Sequence, residues 1–151
     1  PLESGDILML DTGSTLKGYF CDFDRNWAIN TASDLAKRVY SKLHYATEVA
    51  LEEIRPGMTC EQVFILINND LGGGSSDVGR MGHGLGIQLT EYSSLMLDDK
   101  TVLLENMVIT IEPSMSYGEG LMMVHEENIC IREGKPELLT KRAANELPIL
   151  S

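Results

Sequence analysis

The sequence predicts an α+β domain, on three observations. A strand and its return, Asp6–Asp11 and Tyr19–Ile29, open the chain. A long amphipathic helix and a shorter one follow. A second group of strands, densest in apolar residues at Met107–Glu112, closes it.

Taken in order, DILMLD is apolar on both faces, with Ile7 and Met9 pointing one way with Asp11, and Leu8 and Leu10 the other. Turn residues follow at Thr12-Gly13-Ser14 and Lys17-Gly18, and the aromatic-rich YFCDFDRNWAI reads as the second strand of a hairpin. The helix spans Ser33–Ile54, because Leu35, Val39, Leu43, Ala46, Ala50 and Ile54 recur at spacings of three and four. Pro56-Gly57 stops it, and Thr59-Cys60-Glu61-Gln62 is a capping box that opens the second helix. Asn68–Gly82 reads as a loop. Its Gly72-Gly73-Gly74 is no phosphate loop, since no GK[ST] follows. Gly82-His83-Gly84-Leu85-Gly86 leads to a short strand near Ile87–Leu89. Met107–Glu112 is a strand ended by Pro113, Tyr117–Gly120 a turn, Met122–Arg132 the return, and Leu138–Leu139 a small edge. Without a linker or repeat, residues 1–151 read as one unit.

Composition narrows the function. The net charge is -11 over 151 residues. That balance repels phosphate backbones and anionic membranes, so neither nucleic acid nor membrane is an expected partner. No apolar run is long enough to span a bilayer, and no signal-peptide pattern opens the chain. Cys21, Cys60 and Cys130 are scattered and odd in number, which disfavours a disulfide framework or a thiolate metal site. A reducing, cytoplasmic setting is expected. The chain opens PLESGDILML, without an initiator Met and almost at once in a strand. It therefore reads as the C-terminal part of something longer.

The acids carry the chemistry. A turn about Leu16-Lys17 would set Asp11 opposite Asp22, and a turn about Glu119 would set Glu112 opposite Glu126. Directly paired side chains stand about 4.5–5.5 Å apart at Cβ, where like charges destabilise a sheet. Apolar flanks limit solvent screening, and a buried unpaired carboxylate is costly. A shared proton is one remedy. Metal is the better one: four carboxylates and a neutral His83 carry four negative charges, which two divalent cations cancel. Oxygen-rich ligation with one nitrogen suits Mn, Fe, Co or Zn. Glycines on both sides of His83 allow close backbone approach. Taken singly, each acid is more simply a solvated surface residue; the repeated geometry favours a site. His44 reads as a surface or satisfied helix residue. Alternation points His125 away from the acids. The eight methionines read as core fillers.

At these residues the sequence resembles the pita-bread metallohydrolases: methionine aminopeptidase, aminopeptidase P, prolidase and the metal-free creatinase. The matching pieces are Asp11 in LDTG, Asp22 in CDFDR, His83 in GRMGHGLG, Glu112 in TIEP and Glu126 in VHEEN, with GKPELLT as a closing strand. The resemblance covers nearly the whole chain. It implies an α+β pita-bread fold, incomplete at its N-terminal side, with Asp11, Asp22, His83, Glu112 and Glu126 as ligands of two divalent metals. It also implies an upstream segment carrying a substrate-binding histidine, and a homodimer. Asp11 and Glu126 are expected to bridge the metals, with Asp22 on one and His83 and Glu112 on the other. Glu112 is expected to move the proton.

Three departures stand out. Thr90, in LTEYSS, replaces the family His seven residues after His83, which leaves Thr90 or Tyr92 as an oxyanion donor. Asp24 stands where Thr or Ser is usual. Val124-His125 replaces an Arg before the last Glu. The implied activity is amide hydrolysis of an Xaa-Pro-like peptide or small imino-acid-like substrate. An ectoine-hydrolase-like or metal-dependent lyase subgroup is the first alternative, and a non-catalytic pita-bread binding protein the second.

Overall fold

In a computed structural model of the chain, residues 1–72 and 79–151 are described. Part of the expected Asn68–Gly82 loop, including Gly73 and Gly74, lies outside them. The first hairpin pairs β1 (Ile7–Leu16) with β2 (Tyr19–Ile29), and β10 (Ile149–Leu150) adds in parallel to the far side of β2. β1 continues well past Asp11, through residues expected to turn. The turn is Lys17-Gly18, whose φ angles of 53° and 88° fit a two-residue connection with both residues left-handed.

That turn corrects the expected register. Asp11 faces Asp24, and Gly13 faces Asp22. The predicted direct Asp11–Asp22 pair is therefore a diagonal one. Asp22 and Asp24, two apart on one strand, still share the face that Asp11 presents.

Helix α1 (Asp34–Glu53) is capped by Ser33, whose hydroxyl accepts from the Ala36 amide. Its buried stripe is Ala36, Val39, Tyr40, Leu43, Ala46, Thr47 and Ala50, extended by Ile54 at the C-cap. Leu35, expected in that stripe, is exposed; the buried face passes through Ala36 and Tyr40 instead. Helix α2 (Cys60–Asp70) has the expected capping box. The Gln62 amide donates to the Thr59 hydroxyl at 3.2 Å, and the Gln62 side chain accepts from the Thr59 amide at 2.8 Å.

The central sheet runs β4 (Glu91–Ser94), β3 (His83–Gly84), β5 (Val108–Ile111), β8 (Glu127–Cys130), β9 (Glu137–Leu138). The expected strand at Ile87–Leu89 is absent. Glu91 accepts from the amides of Ile87 and Gln88, so a side chain takes the donors that a ladder would need. The expected return strand Met122–Arg132 is split. Its first part, β7 (Leu121–Val124), pairs with β6 (Ser114–Gly118) as a separate ribbon, and its second part is β8.

The split has a local cause. Pro113 has no amide to give, and the Glu112 amide donates to Met81 O at 2.9 Å rather than to the partner strand. Register survives across the break. Ile111 pairs with Glu127 and Ser114 with Val124, so Glu112 and Glu126 fall opposite one another as predicted. The core fills the space between the helices and this sheet, with Leu43, Ile67, Met81, Leu103, Ile109, Ile111, Met123 and Ile129 fully or almost fully buried.

Candidate metal centre

Three strand systems converge on one spot. The first hairpin brings Asp11, Asp22 and Asp24; β3 brings His83; the joints next to β5 and β8 bring Glu112 and Glu126. His83 Nε2 lies 3.7 Å from Asp22 Oδ2, 3.7 Å from Glu112 Oε2 and 4.0 Å from Glu126 Oε1. One oxygen or nitrogen from each of Asp22, His83 and Glu126 fit within 4.8 Å of one another, and so do oxygens of Asp11, Asp24 and Glu126. All five residues expected as metal ligands are gathered, and Asp24 joins them, whereas Thr90 does not line the cleft they border. Glu126 belongs to both groups. Asp22 groups with His83, whereas the sequence reading put the two on different ions.

Backbone packing explains the close approach. The His83 amide donates to Thr110 Oγ1 at 3.2 Å. A Cβ on Gly82 would stand 2.2 Å from Thr110 O, and Gly82 holds φ +148°. Only glycine lets this strand lie so close to β5. At Gly13 a Cβ would stand 2.3 Å from Cys21 O, so glycine also lets the acidic hairpin close.

The clustered acids repel one another. His83 Nδ1 sits 2.9 Å from Gly84 O. A carbonyl only accepts, so Nδ1 carries a hydrogen there, and Nε2 is the ring nitrogen turned toward three carboxylates. Glu126 and Asp24 are 2% and 4% exposed. Glu126 Oε1 and Asp24 Oδ1 have no hydrogen-bond partner. Burial, then the charge of Asp22 and the other acids, pushes Glu126 up to about 9. Burial, then Asp11, pushes Asp24 up to about 7. Burial and Asp11 also raise Asp22. Protons or divalent cations must compensate such a cluster, and its oxygen-rich set with one imidazole fits divalent metal.

Several neighbours escaped the sequence reading. Arg80 Nε donates to Glu112 Oε1 at 2.7 Å, holding that carboxylate while Oε2 faces His83. The Asn128 side chain accepts from the Asp22 amide at 3.0 Å and donates to Asp22 O, clamping β2 to β8. Arg80 lies inside GRMGHGLG, and Asn128 is on the same strand face as Glu126. Those positions were the available signals. Thr90 and Tyr92 are exposed around the start of β4. His125 packs edge-on against Tyr40 at 4.4 Å and near His44 at 6.0 Å, on the α1 side. Both its ring nitrogens are buried and unpartnered, and burial lowers it to about 3.

The acids open into a cleft of about 360 Å³ bordered by Asp11, Asp24, Arg80, Glu112, Ser114 and Met122. Met96 and Met122 line this cleft, whereas Met81 and Met123 fill the core as expected of methionine. A larger cavity of about 690 Å³, between β2 and the C-terminal segment, contains none of the clustered acids. All three cysteines are free thiols. No helix among the described residues is long and apolar enough to cross a membrane.

A model of metallopeptidase family M24 matches residues 1–133. The chain belongs to metallopeptidase family M24. It is 32% identical over 99% of its length to the uncharacterized peptidase YqhT of Bacillus subtilis, of which it covers 43%. The dipeptidase from Pyrococcus horikoshii superposes with a TM-score of 0.89 at 32% identity, covering 99% of this chain and 42% of that one. The Xaa-Pro dipeptidase from Bacillus anthracis superposes with a TM-score of 0.90 at 30% identity, again over 99% and 42%. The chain thus spans less than half the length of these relatives. The pita-bread fold that the sequence implied is the fold of these M24 neighbours.

Proposed function

We propose that this M24 chain carries the metal centre of a two-metal hydrolase that cleaves an amide bond, with an Xaa-Pro-type dipeptide as substrate. One observation carries the reading. Four family-pattern carboxylates and Nε2 of His83 converge at the edge of a cleft, with a buried oxygen of Glu126 left without a donor. The M24 relatives include Xaa-Pro dipeptidases, which supports the substrate class.

Asp11, Asp22, His83, Glu112 and Glu126 would hold two divalent ions such as Mn, Co, Fe or Zn. When bound, such a pair supplies an activated water and positive charge opposite the developing oxyanion. The chain's own residues do the rest. Glu112 borders the cleft, which supports its assignment as the group that would take a proton from the attacking water and return it to the leaving nitrogen. Arg80 fixes one Glu112 oxygen, leaving the other to act. Ser114, whose buried hydroxyl has no partner, lines the cleft and can donate to substrate. Thr90 and Tyr92, the oxyanion donors expected from the sequence, are exposed but do not line the acid cleft, and Tyr92 lines a separate cavity beside Gly84 and Gly86.

Glu112→Gln keeps the shape and removes the base. Turnover of Xaa-Pro dipeptides should fall by about 10²-fold or more, with the melting temperature nearly unchanged. Near-normal turnover would remove Glu112 from the proton-transfer role. Assays with ectoine beside Xaa-Pro dipeptides would separate the peptidase reading from the ectoine-hydrolase-like one, which the departure at Thr90 favours.

A further inference from the structure

Asp24 stands where the family pattern has Thr or Ser, and the hairpin register sets it directly across from Asp11. It is 4% exposed, and its Oδ1 has no hydrogen-bond partner. Glu126 Oε1 is buried and unpartnered in the same way. One oxygen from each of Asp11, Asp24 and Glu126 lie within 4.8 Å of one another. These three residues come from β1, β2 and the joint between β7 and β8; Asp24 and Glu126 are buried, and Asp11 is exposed on the cleft side.

We propose that Asp24 is a metal-ligating carboxylate that, with Asp11 and Glu126, holds the ion of the pair farther from His83. This rests on the two-ion reading above. A Thr or Ser in this place would offer a neutral oxygen; Asp24 offers a charged one. Three ligand atoms spread evenly at about 2.1 Å from one ion stand about 3.6 Å apart, so a triad contained within 4.8 Å closes on an ion when each oxygen moves inward by at most about 0.7 Å. The two positions then differ in character. The one near His83 has an imidazole nitrogen, and the one at Asp24 has oxygen ligands only. An all-oxygen set selects harder ions, so the Asp24 position takes Mn or Mg in preference to Zn. With five carboxylates, two divalent ions and the Arg80 guanidinium on Glu112, the charges of the centre cancel.

The rival account is that Asp24 is protonated and shares a hydrogen bond with Asp11 or Glu126. Asp24→Asn preserves that hydrogen-bonding ability and removes the anionic ligand; Asp24→Thr restores the family residue. The test titrates Mn alone into the metal-free full chain, counting bound ions by calorimetry and by loss of the free-Mn magnetic-resonance signal. The wild-type chain should bind two ions. Both variants should keep the first with little change and bind the second about 10- to 100-fold more weakly. Unchanged affinity for the second ion in both folded variants overturns the role of Asp24 and leaves the two-ion reading intact. Fewer than two ions on the wild-type chain overturns both, and needs no substitution to be seen. Should the variants fail to fold, anomalous scattering from Mn-loaded wild-type crystals decides. An Asp24 oxygen about 2.0–2.2 Å from an ion supports the proposal, and a separation beyond about 3 Å ends it.

Discussion

At the scale of single residues, Asp24 and Glu126 hold protons that they would give up in water. Asp24 rises to about 7 and Glu126 to about 9, both chiefly by burial. In the unfolded chain both ionise near pH 4. A group whose pKa is raised by folding stabilises the fold below its unfolded pKa, and that contribution is lost as pH climbs through the folded value. His125 works in the opposite sense. Its folded pKa of about 3 lies below the usual value of 6.5, so its contribution is present above about 6.5 and is lost in acid. Between about pH 4 and 6.5 the two effects oppose each other. Above about 6.5 His125 no longer opposes, and Asp24 and Glu126 lose their protons. Metal-free protein should therefore melt at progressively lower temperature from about pH 6.5 to pH 9. Adding Mn should flatten or reverse that trend, because the ions bind the ionised carboxylates. Thermal melts at several pH values, with and without chelator, check this. A flat profile in chelator would mean that the acids are not compensated by protons in the free protein.

At the scale of elements, glycines set the distances that side chains then use. Gly82 lets β3 approach β5 so closely that any Cβ would meet Thr110 O and Leu95 Cδ1. Gly82→Ala should lower stability by about 2–4 kcal/mol through that backbone clash and a strained φ, and should weaken Mn binding by displacing His83. Wild-type melting and Mn affinity in the variant would show that β3 has slack that the structure lacks. The same dependence on backbone detail decides what could be read from sequence. Helix α1 was legible because Val39, Leu43, Ala46 and Ala50 keep helical period, and α2 because Thr59 and Gln62 make a reciprocal cap. The Glu112–Glu126 pairing was legible because Pro113 interrupts the ladder without shifting its register. The Asp11–Asp22 pairing was misread by a single step of the turn. Moving the centre from Leu16-Lys17 to Lys17-Gly18 exchanges Asp22 for Asp24 as the direct partner of Asp11. The strand at 87–89 failed because Glu91, a side chain four residues away, captures the backbone donors. Arg80 and Asn128 act through contacts distant in sequence, which no local pattern displays.

At the scale of the whole molecule, a buried charge network joins the centre to the C-terminal segment. Glu127 is fully buried on β8. Its carboxylate accepts from Arg25 at 3.0 Å, from Arg142 at 3.2 Å, from the Ala143 amide at 2.8 Å and from the Thr140 hydroxyl. Arg25 in turn donates to the carbonyls of Asp24 at 2.7 Å and Glu126 at 2.9 Å. Two residues of the candidate centre thus hang by their backbone from the guanidinium that Glu127 neutralises. Glu127→Gln leaves Arg25 and Arg142 without their shared anion and turns two amide hydrogens toward groups that donate. Breaking a buried pair in this way costs about 3–5 kcal/mol. The Glu52–Lys135 pair supplies the control, since both side chains are largely exposed. Glu52→Gln should shift stability by less than about 1 kcal/mol. Denaturant melts of the two variants should therefore separate widely. Mn affinity should fall in Glu127→Gln and stay unchanged in Glu52→Gln, because only the first loosens the Arg25 grip on Asp24 and Glu126. Equal, small effects of the two substitutions would show that the network is not what holds the C-terminal segment and the acidic centre together.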